Sequence, residues 1–124
     1  MAESANCVVV EGRRGDVTRM AAVMVLATGR ADVNKTVRKH LDVRKISFAA
    51  TETATSLTQM EFGGITPIGL PGDWPILVDR AVADAGLVVV GSGIRGSKIA
   101  IDGAALAALP NAEVLGLTLP GGSV

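Results

Sequence analysis

The sequence predicts one domain of mixed α/β class, and three observations carry that prediction. Short β-branched apolar runs interleave with segments of helical periodicity. The first two runs lie close enough to form a hairpin, so the sheet should be mixed, not purely parallel. The chain's 124 residues, 48% of them hydrophobic, with a mean hydropathy of +0.42, suffice for one core over 1–124 and leave no room for a second domain. The same composition excludes disorder.

The first strand is the run Cys7 to Val10, and Gly12-Arg13-Arg14-Gly15 reads as the hairpin turn before a second strand, Met20 to Ala27. A helix is expected from Asp32, because Val33, Val37 and Leu41 recur at i, i+4 and i+8 and Asp32 can cap the free N–H groups. Lys35, Arg38 and Lys39 then point away from the core. Lys45 to Ala49 reads as a short strand, followed by a helix from Thr51 to Met60 with Ala50, Ala54 and Leu57 inward. Seven of the thirteen residues from 63 to 75 are Gly or Pro, a density that no regular element survives. Ile76 to Val78, Leu87 to Val90 and Lys98 to Ile101 are strand candidates. Asp102 can cap a short helix ended by Pro110, and Val114 to Leu119 is the expected last strand.

Twelve cations balance twelve carboxylates, but residues 1–45 hold nine basic and five acidic side chains while 46–124 hold three and seven. A polyanion partner must therefore be met by a local patch, and binding of DNA by overall charge is excluded. The basic segment from Arg30 to Lys45 is either a solvated helix face or a phosphate-facing patch. With Phe48, Phe62 and Trp74 as the only aromatics, base stacking is not available as a mode of RNA binding. One Cys and one His exclude an internal disulfide and a closed zinc site. No apolar run is long enough to span a bilayer and no basic leader precedes the first strand, so a cytoplasmic location is expected.

Several residues look chemical and have plainer readings. Gly91-Ser92-Gly93-Ile94-Arg95-Gly96 matches the dinucleotide fingerprint, but Ser97 to Ile101 reads as a strand where a helix must open, which argues against a Rossmann site. His40 has no Asp or Ser placed to complete a triad and reads as a surface histidine. Cys7 reads as a buried small hydrophobe, Trp74 as a loop anchor, and Asp79 as an ion-pair or turn residue. The loop that opens Gly63-Gly64-Ile65-Thr66-Pro67 is the strongest feature: its backbone N–H groups can hold a carbonyl or carboxyl group as an oxyanion hole does.

These stretches together resemble the YbaK/EbsC family of aminoacyl-tRNA deacylases, related to the editing insertion of bacterial prolyl-tRNA synthetase. The resemblance runs through Ala5 to Val10, Arg30 to Asn34, Val43 to Ala49, Gly63 to Gly69, Val78-Asp79 and Gly91 to Lys98. It implies a mixed, partly barrel-like sheet with flanking helices, and a cleft in which water hydrolyses the ester of a mischarged tRNA without metal or organic cofactor. In that reading Gly63, Gly64, Thr66 and Pro67 hold the reacting end and Asn6 orients it. Ile65, Gly91, Ser92, Gly93, Arg95, Gly96 and Lys98 line the substrate, and Lys35, Arg38 and Lys39 face tRNA. Arg95 is equally read as a hydrogen-bonded turn residue.

The implied partners are a mischarged aminoacyl-tRNA and an aminoacyl-tRNA synthetase, with neither DNA nor membrane. Two departures qualify the expectation. Asn6 stands where the best-known members carry lysine. Members also have a segment before the first strand, so either part of the cleft wall is missing or the start lies elsewhere. The rival expectation is a non-catalytic tRNA- or synthetase-binding module of the same fold.

Overall fold

The computed structural model describes residues 3–27, 33–49, 51–60, 74–91 and 98–117. Strands β1 (Glu3–Arg14) and β2 (Val17–Leu26) form a long antiparallel hairpin, registered with Asn6 opposite Val25 and Arg14 opposite Val17. The turn is therefore Gly15-Asp16, not the expected Gly12 to Gly15. Gly15 has φ +60°, the first central position of a II′-type connection, where a Cβ is disfavoured. Gly12 stays inside β1, where a Cβ would come within 2.7 Å of a Val43 methyl; glycine lets Val43 close over the strand.

The chain continues through a wide π turn at Val33–Val37 into α1 (Arg38–Leu41), then β3 (Lys45–Phe48), α2 (Thr51–Thr58) and β4 (Ile76–Asp79). It ends with α3 (Arg80–Ala83), β5 (Leu87–Gly91), β6 (Lys98–Asp102), α4 (Gly103–Ala107) and β7 (Ala112–Leu115). Val37 and Leu41 are buried, as their spacing requires. Asp32, the expected cap, lies outside the described residues. Asp42 closes α1 in the left-handed region with φ 55°. Asp102 caps α4 as expected, its Oδ1 accepting from the Ala104 N–H at 2.9 Å.

Three elements differ from expectation. In α2, Leu57 is 48% exposed and Thr58 is buried in its place, because Ala54 and Thr58 share the inward face at i, i+4. The Thr58 hydroxyl donates to the Ala54 carbonyl at 2.7 Å, which makes its burial tolerable. The last strand is Ala112–Leu115, not Val114 to Leu119, since pairing with β4 starts at Ile76 opposite Ala112. Helix α3 is too short to leave a periodic pattern in the sequence.

The sheet order is β6-β5-β1-β2-β4-β7, with β3 also paired to β1, and the sheet curls into a half-barrel. It is mixed: β1–β5, β2–β4 and β4–β7 are parallel, while β1–β2, β1–β3 and β5–β6 are antiparallel.

Alternation sorts the strands into two cores. Val8, Val10, Ala21, Val23, Val25 and Leu77 point to one face and meet Val37, Leu41, Val43 and Leu117. Ala5, Cys7, Met24, Ile76 and Val78 point to the other and meet Val82, Val88, Val90 and Leu106. The five residues from Ala21 to Val25 are all buried because both faces of β2 are covered. Each fully buried Val or Leu contributes roughly 1.5–3 kcal/mol. Trp74, 7% exposed, anchors a third cluster with Val9 and Ala54. No helix among the described residues is long and apolar enough to cross a membrane.

Candidate functional site

Strand β1 has two edges, and they differ. One is paired with β2 along its length. The other is shared: β5 runs parallel beside Glu3 and Ser4, and β3 runs antiparallel beside Val10 to Arg13. The Ala49 N–H donates to the Val9 carbonyl at 2.9 Å and closes the β3 end. Between them, among the described residues, no strand is registered against Asn6, Cys7 or Val8 on that edge. β1 and β5 are parallel, and open α/β sheets place ligands beyond the carboxyl ends of such strands.

This opening brings three of the expected residues to one place. The β1–β5 register, Ser4 opposite Val89, continued by two residues puts Gly91 level with Asn6. Gly91 is in turn registered with Lys98 on β6. Asn6 and Lys98 thus lie at one level of the sheet, on strands either side of β5. Asn6 and Lys98 are exposed and Gly91 is buried. The Asn6 amide offers both a donor and an acceptor to a group in the opening.

Cys7 neighbours Asn6 but turns to the opposite face, where its side chain packs against the second core although the residue keeps some exposed surface. Burial pushes its thiol up to about 12, so it is not a thiolate nucleophile near neutral pH. Gly63, Gly64, Ile65, Thr66, Pro67, Ser92, Gly93, Arg95 and Gly96 lie outside the described residues. Among the described residues no three His, Cys, Asp or Glu side chains converge as metal ligands would.

The basic residues sort differently from their sequence order. Lys35 and Lys39 are exposed, as expected, but Arg38 is half-buried. It shares an open concavity of about 590 Å³ with Arg13, Arg44, Lys45, Glu11 and Ser47. Arg13 and Lys45 are cross-strand partners, a pairing no spacing in the chain reveals. Glu11 pairs with Arg13 at 3.1 Å. His40 points elsewhere, its Nε2 lying 3.0 Å from a Glu113 carboxylate oxygen on β7.

The family model of the aminoacyl-tRNA editing domain matches residues 2–109. Among solved structures, hypothetical protein APE2540 superposes with a TM-score of 0.83 at 19% identity, over 95% of this chain and 75% of its own. A candidate trans-editing enzyme for prolyl tRNA synthetase gives 0.77 at 21% identity, over 93% and 69%. A protein from work on grafting epitope backbones onto scaffolds gives 0.73 at 18% identity, over 92% and 73%. At these identities the three likenesses establish a shared fold.

Proposed function

The chain belongs to the aminoacyl-tRNA editing domain family, and on that premise we propose that it hydrolyses, in trans and in the cytoplasm, the ester of a mischarged tRNA. The observation that carries the reading is the place on β1 where Asn6, Gly91 and Lys98 lie at one level of the sheet, beside a stretch of strand edge that has no registered partner among the described residues.

In this reading, water attacks the ester carbonyl carbon, the bond from that carbon to the ribose oxygen breaks, and the ribose oxygen leaves with a proton as a hydroxyl. The products are a free amino acid and an uncharged tRNA. The backbone N–H groups of Gly63, Gly64, Ile65 and Thr66 cradle the aminoacyl end, with Pro67 as a rigid stop that supplies no donor. Asn6 orients the carbonyl or the water through its amide. The segment Gly91, Ser92, Gly93, Arg95 and Gly96 forms the opposing wall, with Arg95 and Lys98 supplying positive charge where the oxyanion develops. A carboxylate or thiolate nucleophile is not required by this chemistry.

The experiment is release of amino acid from a panel of mischarged tRNAs, the prolyl-tRNA synthetase products included. Release above the spontaneous rate from at least one member is expected; folded protein that releases none from the whole panel would remove the enzyme reading. Asn6 in the place of the family lysine favours a second reading, a non-catalytic tRNA- or synthetase-binding module. Tight, salt-dependent binding without turnover is its signature.

A further inference from the structure

We propose that the concavity at the far end of β1 is a phosphate-anchoring subsite for the RNA that leads to the aminoacylated end, gripped by Arg13, Arg44, Lys45 and Arg38. This rests on the reading that the β1 opening holds that end.

Four cations surround the concavity against one carboxylate, Glu11, in a chain whose overall charge is zero. They come from three separate elements. Arg13 is on β1, Lys45 is its cross-strand partner on β3, Arg38 is on α1, and Arg44 lies between α1 and β3. The Arg44 N–H donates to the Arg13 carbonyl at 2.9 Å, which fixes the two backbones together. Gathering like charges costs free energy through mutual repulsion, and an anion offsets that cost. Most of the charge is also accessible, the Arg13 side chain being 67% exposed even while paired to Glu11.

Position identifies the anion. Asn6 and Arg13 point to opposite faces of the sheet, being seven residues apart in an alternating strand, so no ligand lying on one face joins them. The strand edge does. β3 occupies the same edge of β1 that, among the described residues, has no registered partner at Asn6 to Val8, and the concavity lies around β3. Along that edge the two places are about 23 Å apart. A stacked nucleic-acid strand advances roughly 3.4 Å per nucleotide, so this gap is spanned by about seven nucleotides. An aminoacyl-adenosine alone cannot reach it. Without aromatic side chains among the lining residues, the contact is to phosphates and carries no base sequence.

The test is binding of uncharged tRNA, which needs no hydrolysis, to the wild type and to Arg13→Gln/Arg44→Gln/Lys45→Gln. A terminal trinucleotide serves as the short probe, and circular dichroism and the melting temperature report the fold. With the fold retained, the variant should bind tRNA about 10–100-fold more weakly, with its log–log salt slope shallower by about two to three. Its relative loss on the trinucleotide should be at least ten-fold smaller. An unchanged salt slope overturns the proposal, and so does an equal loss on both probes. A polyglutamate of matched charge that binds as tightly as tRNA overturns it in favour of an acidic protein partner. If the variant loses tRNA but the wild type releases no amino acid, the subsite stands and the hydrolytic reading fails. Should the triple variant not fold, the single Arg44→Gln is expected to lower the salt slope by about one, and no change in that slope overturns the proposal.

Discussion

The carboxylate of Asp79, at the end of β4, accepts a hydrogen bond from the backbone N–H of Leu117 at 2.8 Å. Both residues are buried, Asp79 with 3% of its surface exposed. The bond ties the chain after β7 to the strand beside which β7 runs, and it gives Asp79 a structural task where sequence suggested an ion pair or a turn. Asp79→Ala would leave a buried N–H without this partner. A loss of about 1–3 kcal/mol of stability in urea denaturation is expected. Asp79→Asn keeps an acceptor of the same size and should lose less than Asp79→Ala; equal losses would show that the Leu117 bond is not what matters.

Gly103 opens α4 in direct contact with the backbone carbonyl of Val82, which lies where a Cβ would have to stand. Its own N–H donates to the Gly86 carbonyl at 2.7 Å, fixing the approach of α4 to α3. A backbone carbonyl cannot rotate aside as a side chain does. Gly103→Ala should therefore cost several kcal/mol, on the order of 3 or more, or prevent folding. Gly12→Ala meets only Val43 methyls and should cost about 1–3 kcal/mol. Thermal melts of the two variants give the order directly.

Those two glycines show what sequence could and could not disclose. Most strands and the Asp102 cap were legible because they rest on local chemistry, as were Val37 and Leu41 at helical spacing. Gly12 was read as a turn because a glycine bounding a hairpin and a glycine admitting a distant valine look the same in one dimension. Leu57 was assigned inward, where Thr58 stands, because the direction of a two-turn helix is set by what it packs on, here Val9 and Trp74. Of the candidate site, Asn6, Gly91 and Lys98 could be nominated separately. Their alignment depends on β5 pairing with β1 on one side and β6 on the other, and β1 and β5 are separated along the chain by tens of residues.

Cys7 provides a pH prediction. Its thiol is raised from an ordinary value of 9.0 to about 12 by burial. The unfolded chain gives up this proton first, so it binds fewer protons than the folded chain between these values. Stability from the buried neutral thiol is complete below about pH 9 and is lost as pH rises towards 12. The folded protein should resist a thiol reagent at pH 8 and react fully in denaturant. Rapid labelling under native conditions would contradict the burial.

Asn6 is the sharpest test of the chemistry. It is exposed, so removing its amide should leave the fold intact, and any effect on hydrolysis is an effect on the site. If the amide orients the ester or the water, Asn6→Ala should lower kcat by about 10–100-fold, on the scale of losing one preorganised polar group, with KM changed little. Asn6→Asp keeps the shape and an acceptor but loses the N–H donors and adds negative charge beside a developing oxyanion, so it should be at least as slow as Asn6→Ala. Asn6→Lys introduces a cation at this place. A rate above that of the wild type would mean that charge at this place stabilises the transition state better than an amide does. If none of the three substitutions alters kcat while the protein remains active, Asn6 has no part in the reaction, and the opening on β1 is not where the ester is cleaved.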